Sequence, residues 1–218
     1  MDEAARALSL DLGHVFTYFF LMLGPLKVIG PFVKLTAGTD PGFQRMLALR
    51  AFAIACGAGL VAAVVGQKLL QSWDVSVPAL LLAAGLVLLL VALQTVLRQY
   101  QPGPSPSPVD EPVTPHAPSL GLALAPLAFP TIVTPYGSAV LILLLAASVE
   151  IGRDLAILGV FVTIMVLDLL AMLFAHRILK LVGTTPLAVL GAVLGVLQIA
   201  LAMQMLVVAG KLLRLVPG

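Results

Sequence analysis

Charge is scarce in this chain: 10% of its 218 residues are Asp, Glu, Lys or Arg. A soluble domain carries about 25%, so the shortage excludes an ordinary water-soluble fold. The net charge is only +2 and no basic cluster is present, which leaves nothing to hold nucleic acid. Cysteine is almost absent as well. Cys56 stands alone, so no intrachain disulfide can form, and the residue reads as a small core side chain of a membrane helix. His14, His116 and His176 are dispersed, and Asp168 and His176 stand eight residues apart, too far for shared metal ligation at about 12 Å along a helix. There is no H-E-x-x-H pair, no G-x-S-x-G elbow and no phosphate-binding loop. The chain therefore reads as no enzyme and as no ATP-driven pump by itself, with no cofactor and no metal. Runs of alternating polarity are missing too, which excludes a β-barrel.

Apolar sequence is what the chain has in plenty, at 61% hydrophobic residues and a mean hydropathy of +1.12. Six apolar stretches, near 12–35, 48–71, 75–97, 120–149, 154–177 and 186–210, are long enough to cross a bilayer. A helix needs about 20 such residues to span the hydrocarbon. The expected class is an all-α membrane protein with six transmembrane helices. The first stretch is longer than a signal-peptide core and lacks an obvious small-residue cleavage site, so it is expected to stay as a span.

Proline is unevenly placed. Residues 100–119 hold seven of the sixteen prolines and read as an extended, polyproline-type linker outside the membrane. It divides the chain into a three-span half, 1–99, and a second three-span half, 120–218. An odd number of spans per half sets the halves in opposite orientations, and two related halves of that kind form an inverted repeat. Relatedness shows in the residues. Pro78 and Pro186 stand beside the starts of the third and sixth spans, Ala92-Leu93-Gln94 matches Ala202-Met203-Gln204, and Gly85 and Gly195 share the same offset of 110 residues. Loops on the N-terminal side carry Arg6, Lys68, Arg153, Lys211 and Arg214, and the opposite flanks carry Lys34, Arg45, Arg50, Arg98, Arg177 and Lys180. The positive-inside rule then favours both termini outside the cytoplasm.

Each half also opens on a span broken by proline. The first contains Pro25, Lys27, Gly30 and Pro31; the fourth contains Pro126, Pro130 and Pro135. Proline removes a backbone donor and clashes with the preceding turn, and paired interruptions of this kind are the best sequence pointer to a transport site. The half-helix after such a break presents N–H groups that can hold a carboxylate; alternatively each proline is a simple kink. Thr131, Thr134, Tyr136 and Ser138 cluster in the fourth span, and their hydroxyls suit either a zwitterionic ligand or the carbonyls that the break frees. Gln94 and Gln204 serve as interhelical hydrogen-bond partners or as substrate contacts.

Gly24-Pro25 through Leu35-Thr36-Ala37-Gly38, with Arg45 and Ala48-Leu49-Arg50-Ala51 after it, resembles the opening of the MarC family of bacterial inner-membrane proteins. Pro126-Leu127-Ala128-Phe129-Pro130 is similar to that family's Pro-Leu-Ala-Ile-Pro, and Ala202-Met203-Gln204 to its closing Ala-x-Gln. The resemblance implies a bacterial inner-membrane protein of six spans in inverted repeats and, for some members, transport of small neutral amino acids. Three departures from the pattern stand out: Gly24 replaces Asn, Lys27 replaces a small residue, and Thr134-Pro135-Tyr136 replaces Gly-Pro-Gly. All lie in the two broken segments, so they bear on substrate more than on fold.

The reading is a secondary transporter of small neutral solutes, with membrane lipid around it and oligomeric state left open. Its rival is a non-transporting scaffold or accessory subunit, which would tolerate straight helices. Lys27 and Asp168, the only charges well inside the spans, are expected at nearly the same depth, facing the repeat interface and paired directly or through water. Labelling single cysteines at Asp2, Ser105 and Gly218 in a Cys56→Ala background should place the first and third on one face and Ser105 on the other. Finding all three together would defeat the three-plus-three arrangement.

Overall fold

The computed structural model describes residues 11–98, 120–148 and 150–213, so the proline-rich segment 100–119 lies outside the described residues. The described elements are helical throughout: α1 (Leu12–Leu23), α2 (Leu26–Leu35), α3 (Pro41–Ser72), α4 (Val77–Arg98), an irregular helical segment (Leu120–Ile132), α5 (Pro135–Ala146), α6 (Ile151–Val182) and α7 (Thr184–Leu212).

Local chemistry sets the boundaries. The Asp11 carboxylate accepts from the Gly13 N–H at the start of α1. The helix stops at Gly24, which is extended (φ −66°, ψ 163°) because a residue before proline is pushed out of the helical region. A side chain there would also strike the Phe20 carbonyl oxygen. Beyond the break Pro25 opens α2, and Thr36 closes it by donating both its N–H and its hydroxyl to the Phe32 carbonyl. Asp40 caps α3 by accepting from the Phe43 N–H at 2.9 Å, with Pro41 in the first turn, where its missing donor costs nothing. Thr134 caps α5 in the same manner, its hydroxyl accepting from the Gly137 N–H at 3.1 Å, and Pro135 follows at once.

Five helical stretches are long and apolar enough to cross a membrane: Leu12–Leu35, Pro41–Leu70, Val77–Leu97, Ile151–Val182 and Pro186–Leu212. The pair Gly121–Ile132 and Pro135–Ala146, bent by 62°, makes a sixth if it is taken as one span. Two helices outrun the stretches expected from apolarity alone. At 32 residues each, α3 and α6 are about 48 Å long against a core of about 30 Å. The apolar run marks the part in lipid, whereas caps such as Asp40 and Pro41 decide where the helix starts.

The elements interlock across the two halves. The first broken segment, α1 and α2, packs on α6, while the second, ending in α5, packs on α3. Helices α4 and α7 form the most extensive pair. A Cβ built at Gly85 would lie 3.1 Å from the Met205 and Leu206 side chains, and one at Gly195 would lie 2.9 Å from Val96. Lipid tails are as apolar as leucine, so small residues and close backbone approach hold such pairs. In the centre Phe19 of α1 meets Phe161 of α6 edge to face, with ring centroids 6.3 Å apart. Gly24→Ala should cost about 1–3 kcal/mol through overpacking against a backbone carbonyl. Gly57→Ala, where a Cβ meets nothing within 4 Å, should be neutral or stabilising. Thermal unfolding in detergent compares the two.

Candidate functional site

The last four carbonyls of a helix have no donor within it, and α1 ends in the middle of a membrane-crossing stretch. Two side chains from elsewhere reach those carbonyls. Lys27 Nζ donates to the Met22 carbonyl at 3.0 Å, and Gln198 Nε2, from α7, donates to the Leu21 carbonyl. A cation at a helix C-terminus also meets the negative end of the helix dipole. Lys27 Nζ donates further to the Tyr136 hydroxyl at 2.7 Å and lies 5.0 Å from that ring's centroid. Lys27 belongs to the first break and Tyr136 to the second, so the two breaks meet at this bond. They are closely fitted there, for a side chain at Gly137 would strike Leu23.

Asp168 of α6 is 2% exposed, and neither of its oxygens has a hydrogen-bond partner among the described residues. The ammonium of Lys27 thus bonds to Tyr136 and Met22 and acts on Asp168 through charge alone. A buried carboxyl without a donor is costly, and the nearby Lys27 charge offsets part of that cost. Lys27, Tyr136 and Gln198 line a cavity of about 300 Å³, together with Thr95 of α4 and apolar residues including Leu26, Leu187 and Leu194. That volume is at the lower end of the range for small-molecule sites, about 300–1,000 Å³.

Of the residues singled out in the sequence, Lys27 and Tyr136 come together at this cavity. Three hydroxyls of the fourth span serve backbone groups. Thr131 donates to the Pro126 carbonyl at 2.8 Å, Ser138 donates to the Thr134 carbonyl at 3.1 Å, and Thr134 caps α5. Pro25 and Pro135 each open the helix that follows a break, while Pro31 sits inside α2, one residue after Gly30, without ending it. Pro126 and Pro130 are exposed on the outside of the bundle, as is Gln94. Gln204 lines a smaller, mostly apolar cavity of about 150 Å³ with Tyr18, Met22 and Val140.

Gln198 and Thr95 did not stand out in the sequence. Gln198 is buried in mid-helix, which was the available signal, but its counterpart at the repeat offset is Leu88, so comparison of the halves passes over it.

The model of the MarC family of integral membrane proteins matches residues 11–212. The chain belongs to the MarC family. A UPF0056 membrane protein of Methanocaldococcus jannaschii is 24% identical to it over 198 residues, covering 88% of this chain and 92% of that protein. No solved structure matches. In this MarC-family chain, Lys27 is the group that caps α1 and joins the two breaks. Lys27→Met and Asp168→Leu should each lower membrane yield and stability by about 3–5 kcal/mol, because each leaves one charge buried without its counterpart. The double variant should be better folded than either single one, as judged by size-exclusion profile and melting temperature.

Proposed function

We propose that this MarC-family membrane protein is a secondary transporter moving small neutral solutes, amino acids first among them, across a bacterial inner membrane. Its substrate would lie where the two breaks meet. The Lys27–Tyr136 bond carries the reading, since it sets a charged and a polar group from opposite halves beside a cavity at a double interruption. A scaffold has no use for either. The ammonium of Lys27 and the Tyr136 hydroxyl suit a substrate carboxylate, and the amide oxygen of Gln198 suits a substrate ammonium. Asp168 of α6, whose oxygens have no hydrogen-bond partner among the described residues, is the group available to carry a coupling proton.

The two halves, 1–99 and 120–218, act in this reading as an inverted repeat. Contacts at the α4–α7 seam support it. Gly85 meets Leu206 and Gly195 meets Val96, and the two contacts exchange under the 110-residue offset. The same offset pairs Pro25 with Pro135, each opening a half-helix after an extended residue. Rocking of one half against the other about the shared site would expose it to each face in turn.

Proteoliposome uptake of radiolabelled alanine, glycine, serine and threonine tests the proposal. At least one should enter saturably above protein-free vesicles, and no uptake of any would overturn it. Pro25→Ala and Pro135→Ala should each cut that uptake about tenfold or more at near-normal yield, by continuing a helix through the break.

A further inference from the structure

A second cleft, which shares no lining residue with the Lys27 cavity, lies between the first turns of α3 and the last turns of α6, with a volume of about 590 Å³. Arg45 and Leu49 of α3 and Leu173 and Arg177 of α6 line it, with Phe174 and His176. On each helix the arginine and the leucine are four residues apart, so they share one face, a turn apart. Helix α3 runs away from the membrane face that carries the 35–41 loop, and α6 runs toward that face. Both arginines therefore sit on the outer side of the cleft, with a leucine one turn deeper beneath each.

Leu49, Leu173 and Phe174 are exposed on the outside of the bundle, where acyl chains lie. Neither guanidinium makes an ion pair or a hydrogen bond among the described residues; Arg177 only overlies the Phe174 ring at 5.9 Å. No acidic residue lines the cleft. Gln44, also on its wall, is already engaged, its amide donating to the Thr39 carbonyl at 3.1 Å.

Two guanidiniums with no hydrogen bond or ion pair among the described residues, above a strip of exposed leucine and phenylalanine, match a phosphodiester above an acyl chain. The planar donors of arginine suit phosphate oxygens in particular, and basic clefts between membrane helices take anionic headgroups. We propose that this cleft is a binding site for an anionic phospholipid, with Arg45 and Arg177 holding its phosphate and Leu49, Leu173 and Phe174 contacting its chain. The site is separate from the Lys27 cavity and does not depend on transport.

Native mass spectrometry of the full-length protein in detergent, titrated with palmitoyl-oleoyl phosphatidylglycerol, reads the binding directly. The wild type should retain phosphatidylglycerol in preference to phosphatidylcholine of the same chains. Arg45→Gln and Arg177→Gln should each weaken it, and the double variant should lose about tenfold or more in apparent affinity, at roughly fivefold per removed charge. Arg50→Gln/Lys180→Gln, which removes equal charge outside the cleft, should bind as the wild type does. Equal retention of phosphatidylcholine, an unaffected double variant, or an equal loss in the Arg50/Lys180 control would overturn the proposal. So would full displacement of the lipid by millimolar inorganic phosphate, which would mark a site for a free anion instead.

Discussion

Helix α1 ends partway along a membrane-crossing stretch, and the architecture of the site follows from the need to satisfy its last carbonyls. In hydrocarbon each unsatisfied backbone group costs several kcal/mol, so interrupted helices persist only where protein groups take over. Here the donors are Lys27, from just beyond the break, and Gln198, from the last helix. The second interruption is handled with hydroxyls, Thr131 on the Pro126 carbonyl and Ser138 on the Thr134 carbonyl. These bonds do more than satisfy carbonyls. Gln198 ties the second half to the end of α1, and the Lys27–Tyr136 bond ties the two breaks to each other.

The rest of the bundle is held by different means. Among lipids there is no hydrophobic drive to bring apolar helices together. The α4–α7 seam answers with close approach, placing Gly85 and Gly195 against Leu206 and Val96. The first broken segment packs onto α6 and the second onto α3, so each interruption is held by a long helix of the other half. A close-packed seam with small residues thus lies beside a polar, hydrogen-bonded break.

Charge is used in two ways. Lys27 and Asp168 lie within the spans and interact, so each makes the other's burial tolerable. Arg45 and Arg177 lie near one end of the bundle, on its outer surface, with no ion pair or hydrogen bond among the described residues. The inner pair acts within the protein, and the outer pair faces what surrounds it.

Much of this was legible in the residues. The apolar stretches foretold a helical membrane protein, the resemblance carried by Gly24-Pro25 and Pro126-Leu127-Ala128-Phe129-Pro130 pointed to the MarC family, and the two charges well inside the spans stood out by rarity. Pro25 and Pro135 each follow an extended residue and stand at a helix start, whereas Pro126 and Pro130, which also follow extended residues, lie within a helical segment. The hydroxyls of the fourth span could have served ligand or backbone, and only their distances assign Thr131 and Ser138 to carbonyls. By itself, then, the sequence determined the membrane class and the residues too polar to face lipid, because hydropathy acts locally. Proline alone did not fix the breaks: Pro25 and Pro135 stand at helix starts, and Pro31 lies inside α2. Which polar group meets which carbonyl was decided by tertiary structure alone. Lys27 and Tyr136 are separated by 109 positions and Gln198 and Leu21 by 177, and hydrogen bonding at about 3 Å depends on how helices pack, which no local pattern encodes.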